Sequence, residues 1–341
     1  MNYIYIFAIP LTVYLLNNFI NFKNYLPSLS GEKHQLFVGK KNVPLSGGII
    51  IVVTFLFIAK FNIEFYHLFL FTIFLIGFFS DLKIITSPRI RFFLQIFSIF
   101  LFVISYNFEI SSVRIFFLDF LLDYQFFSYF FVIFCLLIIV NGTNFIDGLN
   151  GLVLGYFVSI LIVIYNLQLF KNLNVTQFEI LYFIELLFFL LLFNFFNKLY
   201  IGDGGSYLLG FSFGIFLITI YESNTFISPF FIVLLLWYPC FENLFSIIRK
   251  YRFNLSPLNS DNKHFHQLLF YFIKKNFKLS SLTSNNLSSI LINIFNILTF
   301  SIGAIDIFNT QLQILILLFN ITIYIYIYLR LFDFRFKKTK I

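Results

Sequence analysis

Apolar segments recur along the whole chain, near 2–20, 44–60, 63–79, 91–107, 124–140, 151–168, 177–194, 205–221, 226–246, 284–304 and 310–329. Each approaches the roughly 20 residues with which a helix crosses a hydrocarbon core. Runs such as "FYHLFLFTIFLIGFF" and "FIVLLLWYPCFENLF" are apolar on every face and lack the polar stripe of a helix at a water-facing surface. Lipid satisfies no backbone N–H or C=O, so spans of this length are helices; transmembrane strands would be shorter and would alternate. The pattern predicts an all-α polytopic membrane protein of about eleven transmembrane helices, forming a single integral-membrane domain over 1–341.

Composition agrees: 60% of the 341 residues are hydrophobic and 11% charged, which excludes an ordinary water-soluble domain. The 57 phenylalanines fill lipid-facing and core positions alike. Cys135 and Cys240 both sit in apolar runs without a partner at metal-ligand spacing and read as small core residues. The first segment lacks the basic start and small-residue cleavage site of a signal peptide and is expected to be the first retained span.

Charge orients the chain. Of the 23 lysines and arginines, all but Lys60, Arg114 and Lys171 fall in alternate loops and in the tail. Basic loops stay on the cytoplasmic side, so the amino terminus is expected outside and the carboxyl terminus in the cytoplasm. The net charge of +8 follows from this bias and from contact with anionic headgroups, and no nucleic-acid motif is present.

Four loops that this topology puts on the cytoplasmic face carry the polar chemistry: "GFFSDLKIITSPRIR" (77–91), "NGTNFIDGLNG" (141–151), "FNKLYIGDGGSYLLG" (196–210, with Asn194 beside it) and "RKYRFNLSPLNSDNKHFHQLL" (249–269). They bring Asp81, Asn144, Asp147, Asp203, Asp261, His264 and His266 to one side of the membrane. Hard oxygen ligands from Asp and Asn suit magnesium, which keeps places for substrate phosphates. The glycines of "GDGGS" let backbone amides approach an anion, and the segment is predicted to open a helix whose amino end favours negative charge. Lys83, Arg89, Lys198 and Arg249 could neutralise further phosphate charge. The expected ligand is a metal-bound diphosphate at an active site built from cytoplasmic loops.

With "GKKNVPLSGGI" at 39–49, "SDLKIITSPRIR", "NGTNFIDGLNGL", "NKLYIGDGGSYLLG" and "SDNKHFHQLL" in this order, the chain resembles the polyprenyl-phosphate N-acetylhexosamine-1-phosphate transferase family. That glycosyltransferase 4 family includes the WecA-type initiating transferases and the phospho-MurNAc-pentapeptide translocase. The resemblance implies magnesium-dependent transfer, with manganese as an alternative ion, of a sugar 1-phosphate from a UDP-N-acetylhexosamine to polyprenyl (undecaprenyl) phosphate, releasing UMP. It implies Asp203 as principal magnesium ligand and Asn144 as second ligand or diphosphate contact, with Asp147 and Asn150 gripping the same group. Asp81 would orient or deprotonate the lipid phosphate, and His264 and His266 would contact diphosphate or sugar. Lys83, Asn194, Lys198, Gly204, Ser206, Arg249 and Asp261 are the implied substrate contacts.

Three positions depart from the family pattern: Ser80 stands where a first acidic residue is usual, "HFHQ" ends without a further histidine, and Asn150 replaces an aspartate of some members. The missing triple histidine and the eleventh span favour a WecA-like enzyme of the bacterial inner membrane that starts a surface glycan; a homodimer is left open. Two other readings stand beside it: a secondary transporter, for which Glu185 is the clearest mid-span acid, and an inactive relative acting as an assembly partner.

Overall fold

Each of the eleven apolar segments forms a helix in the computed structural model, which describes residues 3–23, 43–58, 65–173, 175–252, 254, 256 and 262–336. Among the described residues there are thirteen helices. The apolar ones are α1 (Tyr3–Lys23), α2 (Gly47–Ile58), α3 (Phe65–Asp81), α4 (Pro88–Tyr106), α6 (Gln125–Ile146), α7 (Leu152–Asn166), α8 (Gln177–Phe195), α9 (Gly202–Ser223), α10 (Pro229–Arg252), α12 (Ser281–Gly303) and α13 (Thr310–Phe336). Two more, the short α5 (Phe116–Leu122) and the basic-ended α11 (Phe265–Phe277), lie between them. Seven helices (α4, α6, α8, α9, α10, α12 and α13) are long and apolar enough to cross a membrane.

Exposed apolar side chains mark the lipid-facing surfaces. On α4, Phe93, Phe97, Phe100, Leu101 and Ile104 face outward while Gln95, Ile99, Phe102 and Val103 face inward. A helix with its polar Gln95 inside and most of its phenylalanines outside is inverted relative to a soluble protein, as a hydrocarbon surrounding requires.

The centre of the bundle is α9, which packs against α3, α6 and α2. Small residues let backbones meet there: a β-carbon at Gly77 of α3 would lie 2.4 Å from the Asp203 carbonyl oxygen, and one at Gly210 would lie 2.9 Å from Val140 of α6. One turn after Gly77, α3 ends in Ser80 and Asp81, so the close approach carries both to the amino end of α9.

Polar groups inside the bundle are paired in ways the sequence explains. Pro239 in α10 cannot donate to the Leu235 carbonyl four residues earlier; the Tyr156 hydroxyl of α7 donates to that oxygen instead, at 2.8 Å. At the opposite end from Asp203, Arg114 donates to the carbonyls of Thr225, Phe226, Ile227 and Phe308 and to the Thr310 hydroxyl, binding three loops together. Between α6, α9 and α10 lies a cavity of about 220 Å³, lined among others by Cys135, Cys240, Ile139 and Leu236.

One boundary differs from the expectation. The "NGTNFID" stretch is not loop: α6 continues to Ile146, and Asp147 caps it. Asn141 stays helical because its amide donates to the Leu137 carbonyl and to Gln95 of α4, so its polar group is satisfied inside the bundle. Likewise Arg89 and Arg91 lie in the first turn of α4, opened by Pro88, rather than in the preceding loop.

Candidate functional site

Asp203 sits in the first turn of α9, with about a quarter of its side chain exposed. Gly202 before it has φ of +75°, a left-handed conformation that glycine adopts without strain. Three side chains converge on the Asp203 carboxylate. Asn144 of α6 donates from Nδ2 to Oδ1 at 2.7 Å and to the Ser206 hydroxyl at 3.1 Å. On the other oxygen, Ser80 Oγ donates to Oδ2 at 2.8 Å and Arg91 Nη1 pairs with it at the same distance. Arg91 also donates to Ser80 Oγ at 2.6 Å, so the serine bridges cation and acid.

Asp81 is placed differently from an expected lipid-phosphate contact. Its two oxygens accept the backbone N–H groups of Asp203 (2.9 Å) and Gly204 (3.0 Å). The helix amino end expected to hold a substrate anion thus holds an internal one, the favourable position for a carboxylate. Asp147, just beyond α6, completes the acidic group: burial, and then the charges of Asp203 and Asp81, push its carboxyl well above the usual carboxylate range. Tyr200, in the loop before α9, borders it; burial and the Asp147 charge push that hydroxyl up to about 12.

The loop from Asp147 to Gly151 is held by asparagines rather than by bulk. Asn285 of α12 accepts the Asn150 N–H at 2.7 Å, Asn194 accepts the Gly151 N–H, and Asn293 donates to the Gly151 carbonyl at 3.0 Å. Asn194 also donates to the Leu199 carbonyl at 2.8 Å, so its amide spans the loops before α7 and before α9. The Asn150 side chain is buried, and among the described residues its Nδ2 has no hydrogen-bond partner.

His264 and His266 form a second group. His264 is the N-cap of α11, and its ring lies 5.4 Å from Phe145, the residue after Asn144. The two imidazoles stack at 5.7 Å, and a β-carbon at Gly148 would lie 2.5 Å from His266 Nε2. Both histidines therefore border the α6–α7 loop. Gln267 accepts the His264 backbone N–H at 3.3 Å.

The remaining expected contacts are dispersed. Gly204 and Ser206 belong to the first turns of α9, and Lys83 and Lys198 are exposed at the ends of α3 and α8. Arg249 is buried and donates to the Lys263 carbonyl, to Tyr328 at 2.9 Å and to Ser246, a brace between α10, α13 and the segment before α11. Asp261 lies outside the described residues. Sequence reasoning passed over Arg91, counting it only as a basic loop residue; its place in the first turn of a helix that starts seven residues after Asp81 was the available signal.

The donor set fits a magnesium ion that has few protein ligands. Asp203, the oxygens of Asn144 and Ser80, and neighbouring Asp147 are all hard donors. Among the described residues no group of three His, Cys, Asp or Glu could hold a metal, so a divalent ion here would need phosphate and water as further ligands. Rotating the Asn144 amide by half a turn would present its oxygen where its nitrogen now faces Asp203.

Comparison with known proteins points the same way. Residues 63–221 match the model of glycosyl transferase family 4. The chain is 29% identical over 205 residues to a protein of Bacillus subtilis (strain 168) described as a probable undecaprenyl-phosphate N-acetylglucosaminyl 1-phosphate transferase. That match covers 59% of this chain and 56% of the relative, so the chain spans little more than half of the length of the relative it matches.

Proposed function

We propose that this chain, whose residues 63–221 are a glycosyl transferase family 4 region, transfers a sugar 1-phosphate of the N-acetylhexosamine type from a UDP-sugar to polyprenyl phosphate, releasing UMP. The observation that carries the proposal is the convergence of Asn144, Ser80 and Arg91 on the Asp203 carboxylate at the amino end of the bundle's central helix, with Asp81 and Asp147 beside it. A lipid phosphate reaches such a site from the bilayer between helices, and a nucleotide reaches it from water. The basic-loop bias supports a cytoplasmic site in a bacterial inner membrane, at the start of surface-glycan synthesis.

Asp203 and Asn144 would hold the magnesium ion, which when bound supplies charge neutralisation and polarisation of the diphosphate. Arg91 offers a planar pair of donors to a phosphate oxygen and is held by the Ser80 hydroxyl until substrate arrives. Asp81 fixes the amides of Asp203 and Gly204, so its work is to present the Asp203 carboxylate in one orientation. Asp147, its carboxyl pushed well above the usual carboxylate range, holds its proton more readily than an ordinary acid and so can donate a hydrogen bond to a phosphate oxygen where an ionised carboxylate would repel it.

The test is UMP release from a panel of UDP-N-acetylhexosamines by purified protein with undecaprenyl phosphate, with and without magnesium. Turnover with one donor, dependent on magnesium and abolished in Asp203→Asn, is the expected result. Full activity and unchanged magnesium dependence in Asp203→Asn would refute the assignment.

A further inference from the structure

Glu242 has no exposed surface, although it lies in the apolar α10. Its carboxylate accepts from three donors on two other elements: the Phe265 backbone N–H at 3.3 Å and His264 Nδ1 at 2.8 Å on Oε1, and the Tyr324 hydroxyl of α13 on Oε2. The Phe265 N–H donates to Oε1, and an ionised carboxylate has no hydrogen of its own to give, so the hydrogen between Oε1 and the imidazole sits on Nδ1. The carboxylate therefore determines which ring nitrogen carries hydrogen and in which plane the ring lies. That ring is the one stacked on His266 and set beside Phe145, next to Asn144. Tyr324 holds the second oxygen, so the carboxylate cannot turn away without losing a bond.

Resting on the transferase reading above, we propose that Glu242 is a positioning residue: a buried carboxylate that fixes the tautomer and orientation of His264 at the edge of the Asp203 cluster. A histidine ring turns about two side-chain bonds, and an acceptor fixed on Nδ1 removes that freedom before substrate binds. A bond that served only to brace α10 against α11 and α13 would stabilise the fold without regard to which nitrogen bears hydrogen.

The experiment uses the full chain in detergent, labelled with ¹⁵N-histidine; the sequence contains four histidines, and loss of a signal in His264→Gln assigns the ring. In the wild type, Nδ1 of His264 carries hydrogen; in Glu242→Met it no longer does. Glu242→Met lowers kcat by about 10- to 100-fold, the scale seen when partners that orient functional histidines are removed, with a smaller change in KM for the UDP-sugar. Glu242→Gln, whose amide oxygen still accepts from Nδ1, recovers most of that rate and serves as the folded reference. The double variant Glu242→Met/His264→Gln is no slower than His264→Gln alone, because the glutamate acts through the histidine. An Nδ1 hydrogen that persists in Glu242→Met, or losses that multiply in the double variant, would overturn the proposal. A wild type that shows the Nδ1 hydrogen but transfers no sugar phosphate with any donor would overturn the transferase reading, and with it the positioning role, while leaving the Glu242–His264 bond established.

Discussion

Replacing Ser80 by aspartate puts the acid expected from the sequence resemblance into a space already filled. The Ser80 hydroxyl is 2.8 Å from Asp203 Oδ2 and 2.6 Å from Arg91 Nη1, so a carboxylate there meets one acid and one guanidinium. Two carboxylates about 4 Å apart repel by about 4 kcal/mol at an effective dielectric constant of about 20, and Arg91 attracts the newcomer by a similar amount. Arg91 and Asp203 are 22% and 28% exposed, so solvent screens both terms. What remains is the lost serine hydrogen bond and the desolvation of a second carboxylate, together about 1–2 kcal/mol. At about 2 °C per kcal/mol, melting without divalent cations falls by about 2–4 °C. Magnesium at about 100 times its dissociation constant returns about 2.7 kcal/mol, and the extra carboxylate tightens that binding. The single tryptophan, buried Trp237, reports unfolding by fluorescence in detergent. The variant is expected to melt below wild type in a chelator and to gain more from magnesium than wild type does. Identical melting in the chelator, or an equal response to magnesium, would show that residues 80 and 203 do not share a cation.

The other expectations concern neighbouring features. The raised Asp147 carboxyl means that the folded chain keeps a proton which the unfolded chain releases as pH passes the ordinary value of 3.8, so stability falls as pH rises from there through the raised folded value. The limiting slope is about 1.4 kcal/mol per pH unit. Asp147→Asn flattens this, and its melting temperatures at pH 5 and pH 8 should differ less than those of wild type. Tyr156→Phe strands the Leu235 carbonyl that Pro239 leaves open; it should cost about 1 kcal/mol in thermal or denaturant unfolding, with kcat/KM nearly unchanged. Gly202→Ala forces a side chain into a left-handed position and puts its β-carbon 2.5 Å from Asp81 Oδ2. It should cost about 1–2 kcal/mol of backbone strain and displace Asp81 from the α9 amides, so UMP release should fall together with melting temperature.

Every apolar run became a helix because the repeated all-face hydrophobicity leaves no other way to satisfy the backbone in lipid. The opening of α9 at "GDGGS" was equally legible, since the glycines and the acid mark a helix start. The end of α6 was not, because asparagine reads as a turn residue until its partners are known, and those partners, Gln95 and Asp203, lie 46 and 59 residues away. Arg91 and Glu242 were visible only as charges for the same reason. Each looks like an ordinary helix-end charge, and only the folding together of α4 with α9, or of α10 with α11 and α13, gives it a specific acceptor or donor. The asparagines of α12 carried no motif at all; their role comes from which loop carbonyls and amides arrive opposite them.

Asp81 on the α9 amides also dictates an order of arrival. The helix end is already occupied from within, so an incoming anion meets the Arg91 guanidinium rather than free α9 amides. The Asp203 carboxylate is already paired with Arg91, so an incoming anion competes with it for the guanidinium. On the proposed function, a bare diphosphate must displace Asp203 from Arg91, whereas one already carrying a divalent cation offers Asp203 a replacement partner. Cation and nucleotide should therefore bind as interdependent partners, each lowering the other's dissociation constant by the same factor.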